Sequence, residues 1–278
     1  MERVRTFVHL SDLHFGRTEK RLTHGLSETL HRLEPELAVI SGDLTQTAAR
    51  REFREAVEFL EHLPGTPFVV PGNHDLPGWN ILGRFLRRFA RFRRYIGPEM
   101  NPVYQDDELA LVGLNTARAL VYHWNWSHGR VSRSQLETVA EIFGEAPERA
   151  LRVVVMHHPM VAPEHKPNQK LVGRARLAAK GFAEARADMV LTGHLHTVVV
   201  SDLQTAWPDI GRSIRSFQGG TSLSDRLRGE PNSFRIFRWS APELRTELFE
   251  WTGRHFEHTD THELVRVENG LKDRPPGN

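Results

Sequence analysis

Five short apolar runs in this chain each end in a residue that can bind a cation or move a proton. The run 6–10 is followed by Ser11-Asp12-Leu13-His14, the run 37–41 by Gly42-Asp43, and the run 68–70 by Pro71-Gly72-Asn73-His74-Asp75. The run 152–156 leads into His157-His158-Pro159, and the run 188–192 into Gly193-His194-Leu195-His196. Aspartate, asparagine and histidine without sulfur make a mixed nitrogen and oxygen shell, suited to manganese, iron, zinc or cobalt rather than to calcium or a thiolate cluster. Cysteine is absent, so disulfides and thiol nucleophiles are excluded as well. In extended backbone, residues i and i+2 project to the same side, so Asp12 with His14, and His194 with His196, are expected to reach inward in pairs. With Asp43, Asn73 and His157 this gives seven candidate ligands, too many for one tetrahedral ion and suited to two ions sharing a carboxylate. A single histidine or a single DxH is weak evidence; five strand ends in succession are not. His158 alternates to the other side of His157 and is expected behind the ligands.

The elements that must position these groups read as alternating strand and helix through the first two thirds of the chain. Helical spacing covers 25–34 and 47–63, the latter with Phe53, Val57 and Leu60 along one face. In an open α/β sheet, ligands collect beyond the C-terminal strand ends, where all five segments point. After residue 196 the pattern changes to strands and turns, which predicts an antiparallel sheet completing the same domain, residues 1–265. The polar, Pro-Gly-rich stretch 266–278 is expected to be a disordered tail. Residues 84–96 place Phe85, Phe89, Phe92 and Ile96 at helical spacing among arginines; a solvated basic face is the plainer reading, an anion-attracting cap or dimer surface the other. Ser132 and Gln135 fit a capping box that starts a helix. Trp124 and Trp126, between His123 and His128, either line a pocket or pack a loop down.

The bulk numbers exclude some functions. A chain of 278 residues with 39% hydrophobic content can build one large α/β domain. Lysine and arginine number 37 against 35 aspartates and glutamates, so there is no global field marking a nucleic-acid or membrane binder. The first residues carry charges at positions 2, 3 and 5 and only a short apolar run, which reads as neither signal peptide nor membrane span; the expected location is cytoplasmic.

DxH, GD, GNHD, HxP and GHxH, in this order, resemble the calcineurin-like metallophosphoesterase superfamily over about residues 6–200. The resemblance implies an α/β sandwich of two mixed β-sheets flanked by helices, with a dinuclear metal site at the C-terminal strand ends. Carried over position by position, it gives one metal Asp12, His14, Asp43 and His196, and the other Asp43, Asn73, His157 and His194, with Asp43 bridging. It further implies that two divalent or trivalent ions (manganese, iron, zinc or cobalt) acidify a bridging water for in-line attack, while His74 stabilises the charged transition state or protonates the leaving oxygen. Pro71 and Gly72 give the bend this needs, and Asp75 is expected to hold the turn by hydrogen bonds.

Departures narrow the branch. Phosphoprotein phosphatases carry GDxVDRG where this chain has Gly42-Asp43-Leu44-Thr45-Gln46-Thr47, and the UDP-diacylglucosamine hydrolases have arginine where this chain has His74. The GDxFD motif and long cap of the superfamily's DNA-repair exonucleases are missing too. The stretches HLSDLHFG, SGDLT, VMHHP, GHLH and GGTSLSDRLRGEPNSF resemble bacterial class III cyclic nucleotide phosphodiesterases and related glycerophosphodiesterases; Arg226 and Arg228 there either approach the phosphate or, as is plainer for arginines near turns, are solvated. The implied substrate is a small phosphodiester, cyclic nucleotides leading, and relatives in this branch suggest a homodimer; neither a nucleic acid nor a membrane is the expected partner. A broad phosphomonoesterase, a nuclease guided by the arginines of 84–96, and a metal-stabilised scaffold without turnover are the alternatives.

Overall fold

The computed structural model describes residues 4–77, 89–118, 129–164 and 166–275. In chain order the elements are β1 (Arg5–Leu10), α1 (Lys20–Leu33), β2 (Leu37–Ile40), α2 (Arg50–Glu61), β3 (Thr66–Val69), α3 (Ala90–Tyr95), β4 (Val103–Gln105), β5 (Leu109–Leu114), α4 (Arg133–Glu145), β6 (Leu151–Met156), α5 (Ala175–Glu184), β7 (Met189–Thr192), β8 (Val199–Asp202), α6 (Leu203–Ala206), β9 (Arg215–Gln218), β10 (Ser233–Ser240), β11 (Glu243–Trp251), β12 (Phe256–Val267) and β13 (Gly270–Asp273). They form two mixed sheets, ordered β13-β12-β11-β10-β1-β2-β3 and β4-β5-β6-β7-β9-β8.

The sheets stack face to face, and the strand sequences explain why. In β1, Phe7 enters the inter-sheet core while Val8 and Leu10 face the opposite side; in β6, Val153 and Val155 enter it while Val154 and Met156 do not. Strands with both faces buried read as continuous apolar runs rather than as alternation. The outer face of the first sheet is covered by α1 and α2, through Leu26, Leu30, Phe53 and Phe59, and that of the second by α4 and α5, through Val139, Phe143, Ala178 and Phe182. The α2 stripe is Phe53, Ala56, Phe59 and Leu60, with Val57 at its margin. The Ser132 box is formed: Ser132 Oγ accepts from Gln135 N (3.1 Å) and Gln135 Oε1 from Ser132 N (2.9 Å).

Two expectations are corrected. The strands after residue 196 do not make one antiparallel sheet: β8 and β9 join the second sheet, β9 parallel to β7, while β10 to β13 extend the first beyond β1. Nor are residues 266–273 a disordered tail. They end β12 and form β13, because Leu271 is fully buried and its carbonyl accepts from Ser213 Oγ at 2.6 Å. Arg266 adds bonds to Ala150 O and Glu148 O, and Ser213 N donates to Asn269 O, so polar contacts as well as Leu271 anchor the hairpin. Of the arginine-rich segment, residues 90–95 are helical with Phe89 and Phe92 buried, and Phe85 lies outside the described residues.

Candidate metal centre

All five strand-end segments meet at the C-terminal edge of the two sheets' parallel strands. The pairing β1 with β2 and β2 with β3 sets Asp12, Asp43 and Asn73 side by side, and β6 with β7 brings His157 beside His194 and His196. Six of the seven candidate ligands converge in two groups, and Asn73 stands beside the second. One ligand atom each from Asp12, His14 and His196 lies within 4.8 Å of the others, and the same holds for Asp43, His157 and His194.

The mechanism that pairs Asp12 with His14 differs from the extended geometry expected. Asp12 (φ 53°), His14 (φ 45°), Asp43 (φ 52°), His194 (φ 75°) and His196 (φ 59°) are all left-handed. This conformation is uncommon for residues with a Cβ, although Asp, Asn and His adopt it more readily than most. The chain turns back over the strand ends instead of running on, and each pair reaches one side for that reason. Two glycines make room. A Cβ on Gly42 (φ +102°) would stand 2.7 Å from His157 Nδ1, and one on Gly72 only 2.1 Å from Asp43 Oδ1.

Hydrogen bonds fix which atom of each ring faces the cleft. His157 Nδ1 meets Ser41 O at 2.9 Å and His196 Nδ1 meets Thr221 Oγ1 at 2.6 Å, which leaves the Nε2 atoms pointing inward. Around His157 Nε2 lie Asn73 Oδ1 (3.1 Å), His194 Nδ1 (3.2 Å) and Asp43 Oδ2 (3.3 Å). Three atoms bearing lone pairs are thus aimed at one nitrogen, an arrangement that calls for a cation among them. In the other group, Asp12 Oδ1 is buried without a hydrogen-bond donor among the described residues, and stands 3.7 Å from both His14 Nε2 and His196 Nε2. That separation is too long for a hydrogen bond and suits two ligands of a shared ion. Asp43 Oδ2 serves both groups, at 3.7 Å from His14 Nε2 and 3.3 Å from His157 Nε2. The donor set present therefore fits two transition-metal ions.

The electrostatics agree. Burial opposes the charge of Asp12 and of Asp43, but the surrounding imidazoles outweigh it and hold both carboxyls below their usual range. Burial pushes His194 down to about 3 and His196 to about 4, so both rings are neutral with lone pairs to give. His157 is pushed the other way, to about 9: burial disfavours its charge, and Asp43 overrides it. A proton there stands where a cation would.

The structure brings His74, Asp75, His158 and Arg226 to the same place. Asp75 is buried beneath the turn and accepts from Gly72 N (2.9 Å), Thr45 N (2.9 Å) and Thr45 Oγ1 (2.9 Å); burial, then Asp43, push its pKa up to about 6 against those bonds. His158 sits behind His194, ring centroids 4.8 Å apart, with Nδ1 on Thr116 Oγ1 at 2.7 Å. His74 presents Nε2 to the cleft because its Nδ1 donates to Gln46 O at 2.7 Å; Arg226 Nη1 donates to that Nε2 at 2.9 Å. Burial, chiefly, lowers the His74 pKa. Trp124 and Trp126 lie outside the described residues. Sequence reasoning missed Thr221, the contact of His196, and the buried chain His9–Ser41–Ser11 that ends on Asp12. Two serines and a histidine inside strand sequence were the available signal.

A family model, calcineurin-like phosphoesterase, matches residues 5–198, more than half of the sequence and every candidate ligand. The chain belongs to the calcineurin-like phosphoesterase family. It is 25% identical over 167 residues to a probable glycerophosphodiester phosphodiesterase of Arcobacter nitrofigilis (59% of this chain, 58% of that protein). It is 26% identical over 172 residues to a 3',5'-cyclic adenosine monophosphate phosphodiesterase of Haemophilus influenzae (61% and 57%), and 24% identical over 204 residues to a probable cyclic nucleotide phosphodiesterase of Synechococcus (68% and 66%). The matched region spans less than two thirds of each of these relatives. In fold, this phosphoesterase chain is similar to a purple acid phosphatase from yellow lupin (TM-score 0.70, 12% identity, 96% of this chain and 55% of that one). A dimetal phosphatase from Danio rerio is similar too (TM-score 0.64, 10% identity, 95% and 99%). Among the described residues, no helix is long and apolar enough to cross a membrane.

Proposed function

We propose that the chain is a dinuclear metal-dependent phosphodiesterase acting on small phosphodiesters. The observation that carries this reading is the single oxygen, Asp43 Oδ2, facing His14 Nε2 at 3.7 Å and His157 Nε2 at 3.3 Å, where the two donor groups meet. Asp12, His14, His196 and Asp43 would hold one ion, and Asp43, Asn73, His157 and His194 the other. Bound there, the pair would activate water and neutralise charge on the phosphate. The remaining roles fall to this chain's own side chains. His74, fixed by Gln46 O, turns Nε2 toward the cleft, and Arg226 reaches the same point. A phosphate entering between them favours the protonated imidazole, whose Nε2–H then meets the phosphate or the leaving oxygen.

The names of two of the three relatives, together with the HLSDLHFG and GHLH stretches, support cyclic nucleotides as the first phosphodiesters to try, and the name of the third adds glycerophosphodiesters. The test is hydrolysis of bis-p-nitrophenyl phosphate beside p-nitrophenyl phosphate by manganese-loaded protein, with His157→Ala as control. Preference for the diester, lost in the control, supports the reading. Preference for the monoester makes the protein a phosphatase, and silence on both with metal bound leaves the scaffold alternative.

A further inference from the structure

The cleft that opens onto His74 and Asn73 is a cavity of about 380 Å³, and its charge exceeds what one phosphodiester needs. Among the described residues, Lys166, Arg226 and Arg228 line it against a single carboxylate, Asp43, and only Pro163 and Leu195 contribute apolar walls. Among the described residues no phenylalanine, tyrosine or tryptophan lines it, so those residues offer a nucleobase no stacking platform. The acids next to the two arginines, Asp225 and Glu230, do not line it. Asp225 pairs with Arg17 at 2.8 Å, and the Glu230 carboxylate accepts from Val198 N at 2.7 Å.

These cations divide by position. Arg226 is spoken for at the reacting centre, through its bond to His74 Nε2. Lys166 and Arg228 are exposed cations with no carboxylate partner among the described residues, on the same cavity. A phosphodiester carries one negative charge, which Arg226 and the metal centre already meet. A phosphate monoester carries nearly two near neutral pH and three acceptor oxygens, the match for one ammonium and one guanidinium fork.

We propose that the substrate is a small phosphodiester bearing a second, terminal phosphate, held by Lys166 and Arg228 while the diester lies at His74. This rests on the phosphodiesterase reading and narrows it. The matched substrates are the dinucleotide ApA and its 5'-phosphorylated form pApA, which differ only in that group. With the manganese-loaded full chain, kcat/KM for pApA is expected to exceed that for ApA by about tenfold, through KM, and the ratio to fall toward unity in Lys166→Gln/Arg228→Gln and in high salt. A second measurement needs no turnover: adenosine 3',5'-bisphosphate should bind about tenfold tighter than adenosine 5'-monophosphate by calorimetry, again only with both cations present. Arg118, Arg130 and Arg174 form another basic cluster, joined through Arg130 N to Thr116 O at 3.0 Å and the bridge from Arg130 to Gly173, but none of them lines the cavity. Arg118→Gln/Arg174→Gln should therefore keep both ratios. A ratio near unity in the parent, a ratio unchanged in the Lys166/Arg228 variant, or its loss in the Arg118/Arg174 variant overturns the proposal. If neither dinucleotide is cleaved while the bisphosphate preference follows Lys166 and Arg228, the phosphodiesterase reading falls and the terminal-phosphate site stands.

Discussion

Replacing His9 with glutamine should make the protein less sensitive to acid. His9 is 3% exposed in β1, with Nε2 2.8 Å from Ser41 Oγ. Ser41 Oγ donates to Ser11 Oγ at 3.0 Å and Ser11 Oγ donates to Asp12 Oδ2 at 2.5 Å, so the one proton of Ser41 is committed and His9 must supply an Nε2–H. Burial, with Arg235 adding and Asp12 opposing, pushes this imidazole from an ordinary 6.5 down to about 3. The unfolded chain takes up the proton below 6.5 and the folded chain does not until about 3. The neutral ring's contribution is therefore complete above 6.5 and is lost as pH falls through that window, at about 1.4 kcal/mol per pH unit. By about pH 5 the parent should have lost about 2 kcal/mol that His9→Gln keeps. Glutamine can reach Ser41 with its amide and has nothing to titrate; any fixed cost of the exchange shifts the whole curve and leaves its slope alone. Urea unfolding of both proteins, metal-free, across that pH range gives the two slopes. Superimposable slopes between about pH 6.5 and pH 5 would refute the claim that His9 is held neutral in the core.

Three further outcomes follow from the same geometry. Ser11→Ala removes the donor on Asp12 Oδ2 and should weaken metal binding by about 10- to 100-fold, read by titration with cobalt and its visible absorption. Gly72→Ala puts a methyl where Asp43 Oδ1 and Asp43 N stand, at 2.1 and 2.3 Å; metal stoichiometry should fall below that of the parent, and a fully loaded Gly72→Ala protein would show that the turn can yield. His74→Ala should lower kcat by about 10²- to 10⁴-fold while metal content holds, because its ring Nδ1 bonds to Gln46 O and its Nε2 to Arg226; equal loss of metal would make it a structural residue instead.

The ligand types and their strand ends were legible because chemistry restricts which residues can bind a hard or borderline cation, and because apolar runs buried on both faces are conspicuous. Asp12, His14, Asp43, His157, His194 and His196 were named this way and stand in two close groups, and Asn73 lies against His157. What was not legible depended on partners distant in sequence. Thr221 stands on His196, and Arg226, named only as a candidate to approach the phosphate, stands on His74, because β10 returns to pair with β1, a contact spanning most of the chain. Local pattern gives no sign of it. The last hairpin failed for the opposite reason: the composition of 266–273 is that of a tail, and the burial of Leu271 with the long-range bonds of Arg266 and Asn269 makes it a strand pair.

The left-handed backbones explain why the ligands cluster at all. Five of the seven candidate ligands have positive φ, a conformation costing on the order of 1 kcal/mol or more for a residue with a Cβ. The loops offset this by bonding to one another: Asp12 N donates to Gly42 O (3.2 Å), His14 N to Asp43 O (3.0 Å), His74 N to Asp43 Oδ1 (2.8 Å) and His194 N to Asp12 Oδ2 (2.9 Å). Both aspartates thus orient a neighbouring ligand segment with one oxygen and keep the other for the cleft. A strand continuing straight would carry its side chains past the sheet edge; a left-handed residue folds them back over it. Five of the residues whose chemistry suits a metal ion are therefore ones whose backbones the fold bends, and the bonds that hold the bend keep the candidate ligands in two close groups.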